Sequence, residues 1–398
     1  MRVLVVALTD LSIMSGTYAR VSGQILSTLS EIDRYYVVSY GLSDEIKSHK
    51  KVVWIKPAIR KGKGKLALLA SSCGVVSQYL AGYISNDLFI QSDVFQKRRI
   101  NIVHLHHLFT VNVTGRLFKY KIPKIIDIHG LSRLQIQSPY DLKIFLYEKI
   151  LKILEPRIIK NVSKSFKLIV PTKSMKEYIK GEFKIATENI YVVPDGIFIN
   201  EIPQISKNKI YEIREKLEIN DKIVITYMGM LSLYHGFYDL VVAFNKISKK
   251  LHNSHFLFII PKGSSGIVFR YLKNLSFTIL ENVPRKEVYP FLQASDVLVI
   301  PHRAGTQFEY LYSNKLLDYV ASGRPIVGYS TRAIREFLAN YPLKILVEPN
   351  NPLKLAEGIL AATEYKEEYV NGIEYLREYD WNLIGKKLLE IYNFLLQQ

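Results

Sequence analysis

Thirteen short runs rich in Val, Ile and Leu recur along the sequence, with stretches of helical apolar spacing between them. They are Arg2–Leu8, Tyr36–Tyr40, Val52–Ile55, Ile102–His106, Ile125–His129, Leu168–Pro171 and Ile190–Pro194, then Ile223–Met228, Phe256–Ile260, Phe277–Leu280, Val297–Pro301, Pro325–Tyr329 and Ile345–Val347. Most are continuous and do not alternate with polar residues, as parallel strands covered by helices on both faces require. The chain is therefore expected to be α/β, with parallel sheets built from strand–helix repeats.

The two series of runs are separated by Asp195–Ile210, a polar, turn-rich stretch. At roughly 150 residues per domain, a chain of 398 residues suits two or three domains. We read a Rossmann-like domain over 1–196 and a second over 210–378, facing across a cleft at their C-terminal strand edges, where such sheets bind ligands. Residues 379–398 carry Trp381, Ile384, Leu388, Ile391 and Leu395 at helical spacing and are expected to form a terminal helix.

Hydrophobic residues make up 48% and charged residues 23%, which excludes a disordered chain. The single cysteine, Cys73, excludes a disulfide framework and a multi-cysteine zinc site; it reads as a small buried hydrophobe in a reducing, cytoplasmic setting. The start, MRVLVVALTD, reads as a buried strand and not as a signal segment.

The net charge of +18 is uneven, +15 in residues 1–200 against +3 in 201–398. Between Ile46 and Asn86 there are eight cations, from Lys47 to Lys65, and no acid; Leu66–Asn86 carries no charge at all. Serines and glycines interrupt that apolar stretch, so it is read as a surface element rimmed by lysines, including Lys61, Lys63 and Lys65, that meets an anionic membrane surface and does not cross it. A core helix beside a solvated basic loop fits as well. Nucleic acid is disfavoured as a partner, because no recognisable binding module accompanies the charge.

The most informative segment is YSNKLLDYVASGRPIV, Tyr312–Val327. Leu316, Leu317, Val320 and Ala321 share a helix face, Ser313 is placed to cap its start, and Gly323 stops it before a strand. Such a start presents N–H groups with Ser313 and Asn314, and forms an anion site by its unpaired donors and dipole. Lys315 and Asp318 lie in the first turn and a half, and a carboxylate there can accept bonds from ribose hydroxyls. An ordinary capped helix with a solvated Lys–Asp pair fits the spacing equally well.

These residues resemble the donor-site helix of the retaining GT-B glycosyltransferases, in particular family 4 (glycosyl transferases group 1). Other segments resemble that family in the right order: Ser15–Leu29, Ile125–Leu131, Asn189–Ile197, Ile223–Phe244 and Phe277–Pro301. The resemblance implies two Rossmann-like domains across a cleft, with the start of the Ser313 helix facing it and the terminal helix returning to the first domain. It further implies a glycine loop at Gly16 facing the donor phosphates, His129 contacting the sugar, Gly229 opening the donor domain, and an apolar loop with Val283 against the nucleobase. Asp318 takes the ribose role. Where the family has an Arg and a Lys that clamp the diphosphate, this chain has Met230 and His235. Arg303, Lys262, Lys315 and His235 are the candidates to replace them. Counting back from Asp318, the family's sugar-contacting acid falls on Tyr310, with Glu309 one position earlier.

His104, His106 and His107 lack a neighbouring acid in sequence, and no Asp-x-Asp occurs, so no metal and no cofactor is expected beyond the nucleotide-sugar itself. The function expected is transfer of a hexose-type sugar from a UDP- or GDP-sugar to a saccharide or lipid-linked acceptor, with retention, by a peripheral protein at the cytoplasmic membrane face. Alternatives are a nucleotide-sugar epimerase of the same fold and a non-catalytic subunit of a glycosylation complex.

Overall fold

The computed structural model describes residues 1–12, 15–55, 58–59, 88–89, 98–108, 110, 120–134, 142–365 and 369–398. The chain forms two compact units, Met1–Gly196 with Trp381–Gln398, and Ile197–Asp380. The apolar stretch Leu66–Asn86, Cys73 and lysines 56, 61, 63 and 65 lie outside the described residues. Among the described residues no helix is long and apolar enough to cross a membrane.

The first unit holds a seven-stranded parallel sheet: β1 (Arg2–Val6), β2 (Arg34–Val38), β3 (Val52–Ile55), β4 (Ile102–His106), β5 (Lys124–Asp127), β6 (Lys167–Val170) and β7 (Ile190–Val192). Their spatial order is β7-β6-β5-β4-β1-β2-β3. The central β1 is buried on both faces, with Val3, Leu4 and Val6 fully enclosed, which is why its run does not alternate. Every expected run forms a strand, with ends shifted by a few residues. Two short pairs stand apart from this sheet, Asp10–Leu11 beside Gly41–Leu42 and an antiparallel pair of Ala58–Ile59 with Leu88–Phe89.

The second unit holds six parallel strands: β8 (Ile223–Met228), β9 (Ser254–Ile260), β10 (Phe277–Glu281), β11 (Val297–Ile300), β12 (Ile326–Tyr329) and β13 (Lys344–Val347), ordered β10-β9-β8-β11-β12-β13. Adjacent residues of one strand enter opposite cores: Val224, Leu257 and Leu298 on one face, Ile225, Phe258 and Val299 on the other. In both units the first six strands follow the doubly wound order 3-2-1-4-5-6. The switch point, where such sheets take ligands, therefore lies between β1 and β4 and between β8 and β11.

The terminal helix, Trp381–Leu396, belongs to the first unit and packs on the helix Gly16–Thr28. The fit is close: a Cβ on Gly23 would lie 2.1 Å from the Trp381 ring, and one on Gly385 would lie 2.6 Å from Ser27 Oγ. The stretch read as a linker is partly structured within the second unit. The Ile197 N–H donates to the Tyr379 carbonyl, and the helix Lys207–Lys216, capped by Ser206 Oγ, starts three residues before the boundary expected at 210.

Candidate functional site

In the second unit β8 and β11 end side by side at the switch point. After Met228 the chain passes through Gly229 at φ +126° and Gly236 at φ +79°, which opens the helix Phe237–Ser248. A Cβ on Gly236 would sit 1.9 Å from the Pro301 carbonyl, so the loop packs on the end of β11 only with glycine there. Met230, in the position that the family resemblance gives to a cation, is 52% exposed and carries no charge.

The helix expected from Ser313 runs Lys315–Ser322 and ends, as its sequence suggests, at Gly323 with φ +73°. Its start differs from the expectation. Asn314 occupies the cap position without a side-chain capping bond, and the Ser313 hydroxyl is buried with no hydrogen-bond partner. Serine lies one residue too early to reach the helix N–H groups.

Lys315 is not solvated. The residue as a whole is half-buried, but Nζ is shut off from solvent, has no hydrogen-bond partner, and lies 5.0 Å from the centre of the Tyr227 ring. Burial pushes its ammonium down to about 7. His235 pairs through Nδ1 with Ser232 Oγ at 2.7 Å and is held at about 3 by burial and by the Lys315 charge. His302 stacks on Phe308 at 3.7 Å, and neither of its ring nitrogens has a partner. Burial and the same Lys315 charge keep it neutral. Polar groups enclosed without partners cost about 1–3 kcal/mol each, so Lys315, the neighbouring His302 that feels its charge, and Ser313 two positions earlier are each left with unused hydrogen-bonding capacity that an anion could take up.

The other expected residues are disposed as follows. Arg303 reaches back to Asp239 at 3.0 Å, whose second oxygen accepts from Tyr329 at 2.9 Å. Asp318 is buried and accepts from Arg285 at 3.0 and 3.1 Å and from Tyr289 at 2.8 Å. All three bonds go to Oδ1, and Oδ2 has no hydrogen bond among the described residues. Lys262 is exposed, Val283 is half-buried against the core, and Glu309 pairs with Arg332 at 3.4 Å. No hydrogen bond or ion pair links these three to Lys315 among the described residues. Arg285 and Tyr289 were not legible as site residues, because their partner Asp318 lies 33 and 29 positions along the chain, and His302 carries no motif that marks it in the sequence.

In the first unit Gly16 begins its helix exposed, after Ser15, whose hydroxyl accepts from the Tyr18 N–H. Arg20, on the inner face of that helix, is fully enclosed. It donates to both oxygens of Asp127 at 2.8 and 2.9 Å, to Asp195 at 2.9 Å and to the Val193 carbonyl at 2.9 Å. Gln24, one turn on, also donates to Asp127. Beside them His129 Nε2 meets His106 Nδ1 at 2.9 Å, His104 Nδ1 meets the Tyr392 hydroxyl at 2.7 Å, and Thr17 Oγ1 meets His107 Nε2 at 3.2 Å. Burial holds His104 and His107 at about 4 and His106 and His129 well below their ordinary value. The donor atoms of His104, His106 and Asp127 lie within 4.8 Å of one another. Arg20 and Gln24 already occupy both Asp127 oxygens, and a guanidinium at 2.8 Å opposes a cation, so the trio is organised as an ion-pair network.

Residues 222–364 match the family described as glycosyl transferases group 1, and residues 79–201 match glycosyltransferase family 4. An uncharacterised glycosyltransferase of Methanocaldococcus jannaschii is 23% identical over 318 residues, 75% of this chain and 76% of the relative. Among solved structures, sucrose-phosphate synthase of Thermosynechococcus elongatus superposes with a TM-score of 0.73 at 14% identity, covering 100% of this chain and 99% of that one. Anabaena HepE in complex with UDP superposes with a TM-score of 0.67 at 14% identity, covering 99% and 100%.

Proposed function

Because the chain belongs to the glycosyl transferases group 1, of the family 4 type and the GT-B fold, we propose that it transfers a hexose-type sugar from a nucleotide-sugar, with the diphosphate held in the second unit by Lys315. The observation that carries this reading is the Lys315 ammonium, enclosed without a partner against the loop after β8. A leaving nucleoside diphosphate needs fixed positive charge, and preorganised cations in a desolvated site supply it most strongly. Met230 cannot supply it, and His235 is neutral at any ordinary pH. Lys315 is left as the cation nearest Gly229, with Arg303 as a second, oriented by Asp239.

In this reading Gly229 lets the backbone approach the phosphates, and Ser313 Oγ and His302 donate to their oxygens. Asp318 presents Oδ2 to the ribose diol, and Val283 lines the base subsite. UDP is the favoured nucleotide, because HepE, which shares the fold, is solved in complex with UDP; GDP remains the other candidate. Catalysis is mostly positioning and leaving-group stabilisation, with retention and with no requirement for a divalent cation or cofactor. His129 is the sugar-contacting candidate of the first unit, whose basic excess suits a lipid-linked or saccharide acceptor at the cytoplasmic membrane face.

The test is a binding screen of UDP, GDP, ADP and dTDP by calorimetry on the wild type and on Lys315→Met, Asp318→Ala and Lys262→Ala. Lys315→Met should lose at least tenfold in affinity for the nucleotide bound best, and Asp318→Ala should lose affinity for it too. Lys262→Ala reports whether that exposed lysine contributes. Nucleotide binding unchanged in Lys315→Met would sink the assignment.

A further inference from the structure

A pocket of about 840 Å³ opens at the amino-terminal edge of the first unit's sheet, the edge opposite the strand ends that carry Asp127 and His106. It is lined by the segments that lead into β5, β6 and β7. Six of its lining residues are lysines, Lys121, Lys124, Lys160, Lys164, Lys167 and Lys184, and none of its described lining residues is acidic.

Two of these lysines are committed. Lys124 donates to the carbonyls of Tyr120 at 2.6 Å and Ile122 at 2.9 Å, and Lys167 donates to Asn189 Oδ1 at 2.6 Å. Lys121, Lys160, Lys164 and Lys184 are exposed, and their ammonium groups make no hydrogen bond or ion pair among the described residues.

The simplest account of such lysines is that they offset helix C-termini, since the helices Leu142–Val162, Lys173–Phe183 and Trp381–Leu396 all end at this edge. Each terminus amounts to roughly half a negative charge, so three of them offset about one and a half of the six positive charges. The main-chain carboxylate of Gln398, which also lines the pocket, offsets one more, and an excess of roughly three to four charges remains around one concavity.

The donor chemistry narrows the ligand. None of the described lining residues is an arginine, so they offer no planar fork that matches a carboxylate, whereas ammonium groups act as point charges toward tetrahedral oxyanions. Ser163 and Ser165 add hydroxyl groups, and the buried Phe166, Phe183 and Leu395 form an apolar floor. We propose that this pocket binds a phosphate-bearing polyanion, either a free polyphosphate or the phosphomonoester headgroup of a lipid.

The test is calorimetry on the full chain with sodium tripolyphosphate and with citrate, in about 150 mM salt with the nucleotide site saturated by UDP. It is run on the wild type and on the triple variant Lys160→Gln, Lys164→Gln, Lys184→Gln, with thermal unfolding as a folding check. Tripolyphosphate should bind one site at least tenfold more tightly than citrate, and the triple variant should weaken it at least tenfold while leaving the UDP response unchanged. Pelleting with phosphatidylcholine vesicles containing phosphatidic acid separates the two sources. Pelleting lost in the triple variant assigns the site to a lipid headgroup; pelleting unchanged, with tripolyphosphate binding lost, assigns it to a soluble ligand. Tripolyphosphate binding that survives the triple variant, or citrate binding of equal strength, overturns the proposal.

Discussion

The ammonium of Lys315 occupies the space that a side chain at Gly229 would need: a Cβ built there lies 2.3 Å from Nζ. Two segments more than eighty residues apart thus share one small volume, the loop leaving β8 and the start of the helix Lys315–Ser322.

Replacing Gly229 by Ala therefore acts twice. The backbone at φ +126° is strained for any L side chain, and the methyl group displaces the ammonium. Thermal unfolding should register a loss of about 1–3 kcal/mol, and UDP affinity should fall at least tenfold. UDP binding as tight as wild type would show that Nζ position is irrelevant to it.

Lys315→Met should stabilise the protein while removing donor binding. The folded ammonium titrates near 7, against about 10.4 in an unfolded chain. Between those values the unfolded chain holds the extra proton, so stability rises with pH from 7 toward 10.4, and the cost of the buried charge is fully present below 7. The gain in the Met variant, about 2 kcal/mol, should be largest at pH 6 and shrink by pH 9, which denaturant titrations at the two pH values would check.

Asp318→Asn keeps the shape and removes the charge. With Oδ2 assigned to the ribose diol, the preference for UDP over 2′-deoxy-UDP should shrink by about tenfold, measured as the ratio of dissociation constants. Arg285 loses its partner, so the melting temperature should also drop. A preserved ribose preference would remove Asp318 from the nucleotide site.

Gly23→Ala tests the closure of the first unit. The added methyl meets the Trp381 ring at 2.1 Å and must push the terminal helix outward, at a cost of about 1–3 kcal/mol. Trp381 fluorescence should report increased exposure in the variant and none in Ala19→Gly, which perturbs the same helix without that contact.

The neutral histidines predict acid lability. His104 and His107 are held near 4 by burial, against about 6.5 when unfolded. Between those values the unfolded chain binds protons that the folded one does not, so stability is lost as pH falls from 6.5 toward 4, by about 1.4 kcal/mol per pH unit for each such group. Urea midpoints at pH 7 and pH 5 measure this, and equal midpoints would contradict a neutral histidine core.

Backbone architecture was readable because it is written locally. A run such as Ile223–Met228 shows its strand by composition alone, and Gly323 shows its helix end because glycine adopts the left-handed conformation there without strain. Side-chain partnerships were not readable. Lys315 could be read either as a phosphate cation or as half of a solvated pair, because nothing near it in sequence shows that Gly229 and Tyr227 lie against it. Asp318 looked free for a ligand because Arg285 and Tyr289 lie 33 and 29 positions away. Arg20 joins three segments through Asp127, Asp195 and Val193, none of them near it in sequence. The helix takes Asn314 and not Ser313 as its cap, a shift of one position that the capping preferences of Ser and Asn do not decide.

The return of the final helix to the first unit fixes an order of assembly. A chain emerging from the ribosome delivers β1 to β7 early, yet the notch at Gly23 stays unfilled and His104 lacks its tyrosine until residues 381–395 arrive. The second unit has all six strands of its described sheet by residue 347 and can fold while the first is still incomplete. The part made first is finished last, so nascent chains stalled near residue 380 should be recognised as unfolded at their beginning.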